Sequence, residues 1–413
     1  MIELNKVEKS WVMYDWANSA YTLTVTSTIL PLYFKMIFEN NGGAATVSTA
    51  YWGYANSIAT LILAILAPIL GTIADYKGYK KRFFNIFFIM GVISTALLSI
   101  VPSNYWLIIL VVYIVTAVGF AGSNVFYDAF LVDVTTEERM DRVSTMGFAM
   151  GYIGSTIPFI ISMAIVILAQ FNLIPLSVIS AFKISFIFTC VWWTAFTLPM
   201  LKIVKQVHGI DIEPSIVKNS FKRIAKTIKN IKSHKKVFLF LIAYFFYIDG
   251  VDTIIKMATS YGADLGISSM NLLIILLVTQ FVAFPFAIIY GKLSEKLQGK
   301  KMLYIGIIMY TIICIYAYFL DSTLDFWILA MLVATSQGGI QALSRSYFGK
   351  LVPKEKSNEF FGFYNIFGKF AAIMGPFLVG IVTQITGKTN NGVFSIIILF
   401  IVGGILLIKV PEE

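Results

Sequence analysis

Long apolar runs alternate with short polar connections down the whole chain. Runs near 11–38, 50–74, 83–101, 105–132, 143–169, 181–201, 237–261, 268–290, 302–320, 325–348, 358–385 and 392–409 approach or exceed the length of about 20 residues that a helix needs to cross a bilayer. The pattern predicts an all-α polytopic membrane protein with twelve transmembrane helices in two pseudo-symmetric six-helix bundles, residues 1–201 and 237–413. Between them lies one long polar segment, 202–236, where Phe221, Ile224, Ile228 and Ile231 repeat at helical spacing on a lysine background, with Pro214 placed to open a first helical turn. The segment reads as a basic linker whose amphipathic helix lies on anionic lipid headgroups; a plain solvated linker is the alternative.

Composition narrows the chemistry. Of 413 residues, 58% are hydrophobic and 13% charged, against about a quarter charged in soluble domains. A water-soluble enzyme is excluded. Cys190 and Cys314 sit inside apolar runs, and the only histidines, His208 and His234, sit in the linker. The spans therefore have no imidazole base, no thiolate metal site and no disulfide framework. A phosphate loop also fails, since five residues rather than four separate Gly362 from Gly368-Lys369, and Phe370 stands where Ser or Thr is required. No catalytic residue, metal or organic cofactor is expected.

The net charge of +10 acquires its meaning from position. Lys77, Lys80, Lys81 and Arg82, then Arg139 and Arg142, then Lys292, Lys296, Lys300 and Lys301 occupy alternate connections. By the positive-inside rule these connections, the linker and both termini face the cytoplasm, in a plasma (inner) membrane. Membrane lipids and a small-molecule substrate are the expected partners, nucleic acid is not, and the chain is expected to function as a monomer.

The halves repeat one another. Gly71 to Lys81 resembles Gly291 to Lys301 with one inserted residue, so Glu295 answers Asp75; Glu137 and Pro158 lie 218 residues before Glu355 and Pro376. Asp15, Asn18, Ser19, Thr22 and Thr26 each lie 234 residues before Asp249, Asp252, Thr253, Lys256 and Ser260. At about 100° per residue each set occupies one narrow helix face. An ionisable group deep in a span costs about 2.5–3.5 kcal/mol on insertion scales, so it faces water or a partner. The two stripes predict a polar cavity on the pseudo-symmetry axis. Its candidate substrate- or ion-binding residues are Asp15, Asn18, Thr22, Asp249, Asp252 and Lys256, with Asn124 and Asp128 from span four and Lys369 from span eleven. Two structural alternatives stand beside this: Asp252 and Lys256 neutralise each other four residues apart, and Asp15 caps the interface. Asp75, Arg82 and Arg345 are gating candidates, with Arg345 also close enough to a span end to snorkel.

The layout, with Gly71, Asp75, Gly78 and Lys81 after span two, resembles the major facilitator superfamily. Tyr14-Asp15-Trp16-Ala17-Asn18-Ser19, Arg142-Val143-Ser144 with Gly147, Tyr247, Asp249-Gly250 with Thr253-Ile254, Gly338-Gly339, and Gln341 to Ser346 resemble its vacuole-effluxer branch, as do Glu359 to Gly362, Gly368-Lys369 and Gly375-Pro376. That branch holds the autophagy-related fungal amino-acid exporters and bacterial relatives. The resemblance implies a rocker-switch secondary carrier. It also implies that the loop after span two meets span eleven, bringing Asp75 to the positive end of that helix near Asn358 and favouring an outward-open state.

Together these readings predict a secondary active transporter that moves a small polar solute by alternating access, coupled to a proton or cation gradient. A zwitterionic amino acid suits a cavity where Asp15, Asp128, Asp249 and Asp252 receive an ammonium or proton and Lys256 and Lys369 a carboxylate. The alternatives are a lipid or lysolipid translocase, whose cavity would be apolar around the charges, and a nutrient receptor on a carrier fold.

Overall fold

Apolar runs in lipid have no water to satisfy their amides, so each closes its backbone bonds within a helix. The computed structural model describes residues 3–229 and 234–411, and the side chains of these except at 45, 46, 228, 259, 260, 263, 264, 269, 270 and 372. Ile231, and the side chains of Ile228 and Ser260, thus lie outside the described residues.

The chain opens with α1 (Lys6–Tyr21), started by a capping box in which Asn5 accepts the Val7 and Glu8 amides and Glu8 accepts the Asn5 amide. A π-helical stretch, Thr22–Thr28, leads without a break into α2 (Ile29–Asn40). Then come α3 (Ala45–Ala74), α4 (Tyr79–Ile100), α5 (Trp106–Ala129), the short α6 (Leu131–Val134), α7 (Glu137–Gln170) and α8 (Val178–Ile203). The linker contributes α9 (Ile216–Lys229). The second half holds α10 (Lys235–Asp264), α11 (Ser269–Leu297), α12 (Gly299–Tyr318), α13 (Thr323–Leu351), α14 (Ser357–Thr386), α15 (Thr389–Ser395) and α16 (Ile397–Ile408).

Among the described residues, eleven helical segments are long and apolar enough to cross a membrane. The first predicted span is the composite of α1, the π stretch and α2, no piece of which reaches span length by itself. The π stretch corrects the stripe arithmetic: hydrogen bonds to the fifth residue change the rotation per residue, so Thr22 and Thr26 do not continue the face of Asp15 at 100° steps.

The two halves make similar contacts, each one position off the register of the sequence repeat. Lys81 donates to the carbonyls of Met200 and Val204 at the end of α8 (2.6 and 2.7 Å), and Lys300 donates to Val410 just past α16 (2.6 Å). Tyr14 bonds Ser123 between α1 and α5 (2.8 Å), as Tyr247 bonds Ser344 between α10 and α13 (2.7 Å). The linker is not a free tether. Ile210 pairs with the loop after α3, donating to Asp75 O (2.9 Å), and Gln206 accepts the amides of Gly78 and Lys80. Nor does Pro214 enter the helix: α9 begins two residues later, after Ser215 turns the chain with φ of +60°.

Candidate functional site

The halves meet closely at the end that carries the linker. The last turns of α3 run so near the start of α14 that a Cβ on Gly71 would strike the backbone carbonyl of Asn358. Asp75, just past α3, accepts the Asn358 backbone N–H (2.9 Å) and its side-chain amide (3.1 Å). It thereby satisfies an orphan amide at the positive end of α14. Lys80, fully buried, pairs with Asp133 (2.6 Å) and donates to Ser357 (3.1 Å) of the other half. Burial acts to raise the Asp133 carboxyl, but Lys80 and hydrogen bonds from His208 outweigh it and hold the group below the usual carboxylate range.

The second copy of this loop makes the matching approach. Gly291 packs on Thr145 of α7, and Glu295 pairs with Arg142 (3.2 Å). Asp141 extends the seam, accepting from Ser346 (2.6 Å) and Lys350 (2.9 Å). Arg82 takes no part among the described residues: it stacks on Tyr79 of its own helix, 5.1 Å from the ring centre.

Arg345 lies six residues before the end of α13 and turns inward, its side chain only 5% exposed, so it does not snorkel. Its guanidinium donates to Asp128 (3.1 Å), Asp15 (3.3 Å), the Ser144 hydroxyl (2.9 Å) and the Ser144 carbonyl (3.0 Å). The rings of Trp11 and Phe148 flank it at 4.7 and 4.6 Å. Asp15 also accepts from the Tyr127 hydroxyl (2.7 Å). Two acids of the first half thus share one arginine of the second. Beside them Asn18 donates to Asn124 (2.7 Å), while Thr22, on the π stretch, is exposed.

The stripe on α10 has other surroundings. Asp249 is fully buried and accepts the Gly375 amide of α14 (2.9 Å) and the Thr253 hydroxyl (3.4 Å); its Oδ2 has no partner. Asp252 is half-buried within electrostatic reach of Lys256 and Lys369, and among the described residues it closes a salt bridge with neither. Lys256 is exposed. Thr253 also borders a cavity inside the second half whose walls are mainly aliphatic and aromatic, including Met257, Leu272, Ile275, Phe326 and Val333, with Gln280 and Gln337 as its amides.

The sequence-predicted residues therefore form three groups: Asp15, Asp128 and Arg345 in one ion cluster; Asp75 in the seam; and Asp249, Asp252, Lys256 and Lys369 around α10 and α14. Sequence reasoning did not single out Arg223, Asp133 or Asp141, and it had Glu359 and Ser144 only as residues of the family resemblance. Lys80 was legible only as a topology-setting charge, and Arg142 as that and as part of a family motif, whereas in the structure both bond across the seam.

From residue 5 to 413 the chain matches the family model described as "Vacuole effluxer Atg22 like". Over its whole length it is 62% identical to a Bacillus subtilis protein described as the uncharacterized MFS-type transporter YxiO, of which it covers 96%. It is 24% identical to Autophagy-related protein 22 of Saccharomyces cerevisiae, with 98% of this chain and 90% of that one aligned. The crystal structure of the human organic anion transporter MFSD10 (TETRAN) matches with a TM-score of 0.75 at 12% identity, covering 97% of this chain and 99% of that one. The E. coli fucose:proton symporter FucP matches at 0.74 and 15%, covering 99% and 98%. These two likenesses establish the major facilitator fold.

Proposed function

The chain belongs to the Atg22-like vacuole effluxer family, and from that premise we propose that it is a secondary transporter moving a small polar solute by alternating access. One contrast carries the reading. Among the described residues, the salt bridges between the halves all lie at the linker end or in the adjoining Arg345 cluster, while Asp249, Asp252, Lys256 and Lys369 at mid-span form none. A carrier closed on one side needs this arrangement: bonds that can break at one end, and charges held ready for a ligand in the middle.

By the positive-inside rule the basic connections support a cytoplasmic linker end, and the closed side is then the cytoplasmic one. Acids and lysines gathered around α10 and α14 suit a zwitterion, with an amino acid as the leading substrate class and Asp249 as the site of the coupling proton. The test is flux in proteoliposomes across a panel of amino acids with an imposed pH gradient. Saturable, gradient-dependent flux supports the reading, and Asp249→Asn should abolish its dependence on the gradient. Solute binding without flux would instead favour a receptor. A second reading, lipid or lysolipid translocation, is favoured by the apolar walls beside Thr253; movement of a fluorescent lysolipid between leaflets, with no amino-acid flux, would establish it.

A further inference from the structure

At about 100° per residue, α9 divides into three faces: Ile216, Ser220, Arg223 and Thr227; then Val217, Phe221 and Ile224; then Lys218, Lys222, Lys226 and Lys229. The first face is docked. Ser220 and Thr227 are buried, and Arg223 donates to the Thr72 carbonyl (3.2 Å), Asp75 (2.8 Å) and Glu359 (3.3 Å). The second is largely uncovered, with Val217 57% and Phe221 51% exposed. The third is four exposed lysines, none of which forms a salt bridge among the described residues.

Thr72 and Asp75 stand at the end of a membrane-crossing helix, so docking holds α9 at headgroup level. An apolar flank beside a row of ammonium groups is what an anionic bilayer surface accommodates, the flank entering the acyl boundary and the lysines meeting phosphates. Exposed Lys205, Lys235 and Lys236 add to the same field.

The docked face matters because its partners come from both halves. Asp75 and Glu359 are fully buried, and Arg223 is the cation that pairs with both, through Oδ2 of Asp75 and Oε2 of Glu359; Oε1 of Glu359 has no partner. If α9 moves, two buried acids on opposite sides of the seam lose that shared guanidinium.

We propose that anionic phospholipid headgroups bind the lysine face of α9 and, through Arg223, hold the linker side closed, so that lipid composition regulates the carrier. This rests on the alternating-access reading above. A headgroup that engages α9 only in its docked position favours the closed state by its differential affinity.

The experiment uses the full chain with spin labels at Arg82→Cys and Lys296→Cys in a Cys190→Ser, Cys314→Ser background. Inter-label distances are compared in nanodiscs of phosphatidylcholine alone and with about a third phosphatidylglycerol, where the closed-to-open ratio should rise about fivefold or more. Changing Lys218, Lys222, Lys226 and Lys229 together to Gln should remove that response. Arg223→Gln should remove it too while leaving the Lys face in place, which separates lipid binding from its transmission. Equal ratios in both lipids, or an unchanged response in the Lys variant, would overturn the proposal, as would reproduction of the shift by inorganic phosphate in phosphatidylcholine nanodiscs. Distances that move with pH but not with lipid would sink only this proposal; a single distance under every condition would sink the carrier reading with it.

Discussion

Asp15 and Asp249 occupy matching places in the repeat, on stripes with the same spacing, yet one shares an arginine and the other has no cation within bonding distance. The cause lies in the helices that face them. Arg345 of α13 reaches across to α1, whereas the pseudo-symmetric donor toward α10 would come from α5, which carries Asp128 and Asn124 and no lysine or arginine. One repeated pattern thus serves two ends: a cross-half clamp in the first copy and, among the described residues, an acid without a salt bridge in the second.

The comparison breaks most visibly at the clamp. Arg345→Met leaves Asp15 and Asp128 buried without their cation, which should cost about 3–5 kcal/mol and appear as a large drop in thermal unfolding midpoint. Adding Asp15→Asn and Asp128→Asn should recover much of that loss, because the uncompensated charges, not the missing bonds, set its size. If the double replacement restores nothing, the arginine acts through packing against Trp11 and Phe148.

The two glycine approaches sharpen the comparison next. A Cβ at Gly71 meets a backbone carbonyl, which cannot yield, whereas one at Gly291 meets the Thr145 side chain, which can rotate. Gly71→Ala should disfavour the linker-side-closed state by about 1–3 kcal/mol and Gly291→Ala by less. Labelling of a cysteine introduced at Val143, buried in this state, would check the order. Equal effects would mean that the repeat is symmetric in energy as well as in sequence.

The same asymmetry recurs in the loops, as a pH effect. Burial drives the Asp75 carboxyl up from its usual 3.8 to about 7, despite Arg223 and Asn358, while Glu359 adds to the rise and Lys80 opposes it. Opening the linker side would hydrate Asp75 and return it toward 3.8. Between these values the closed state binds a proton that the open state does not, so closure should strengthen as pH falls through 7, by up to about tenfold per unit, and should not change above it. Asp75→Asn keeps an acceptor for the Asn358 amide and should abolish this dependence without opening the seam. Glu295, with a side chain 37% exposed, should contribute about 1 kcal/mol or less when changed to Gln. A pH response surviving in Asp75→Asn would assign it elsewhere.

Much of this architecture was legible because membranes impose it: span length, alternating lysine and arginine, and two aligned stripes require no tertiary information. The contact of Asp75 with Asn358 came from the family resemblance. What stayed hidden depends on direction. Six residues from a helix end, Arg345 could snorkel or turn inward, and only acids on other helices decide which. Arg223 was one cation among many in a basic linker, and being its one arginine does not by itself say which helices it meets. The π stretch in Thr22–Thr28 has no period that would announce it. A usable signal did exist for the clamp: an arginine in span ten and no cation in span four, with acids on the stripes of both halves.

Asp249 offers the finest test of the contrast. Asn in its place can still accept the Gly375 amide through its carbonyl oxygen, and it removes a buried charge that no salt bridge holds among the described residues. Stability should therefore change by about 1 kcal/mol or less, and in the favourable direction if Asp249 is ionised in the folded protein, since the desolvation cost of that charge disappears. This is the reverse of Arg345→Met, where the variant creates uncompensated charge. Thermal unfolding of both variants at matched pH reads the difference directly. A loss on Asp249→Asn as large as that on Arg345→Met would show that Asp249 has a cation partner in the functional state, and that the two copies of the stripe are alike after all.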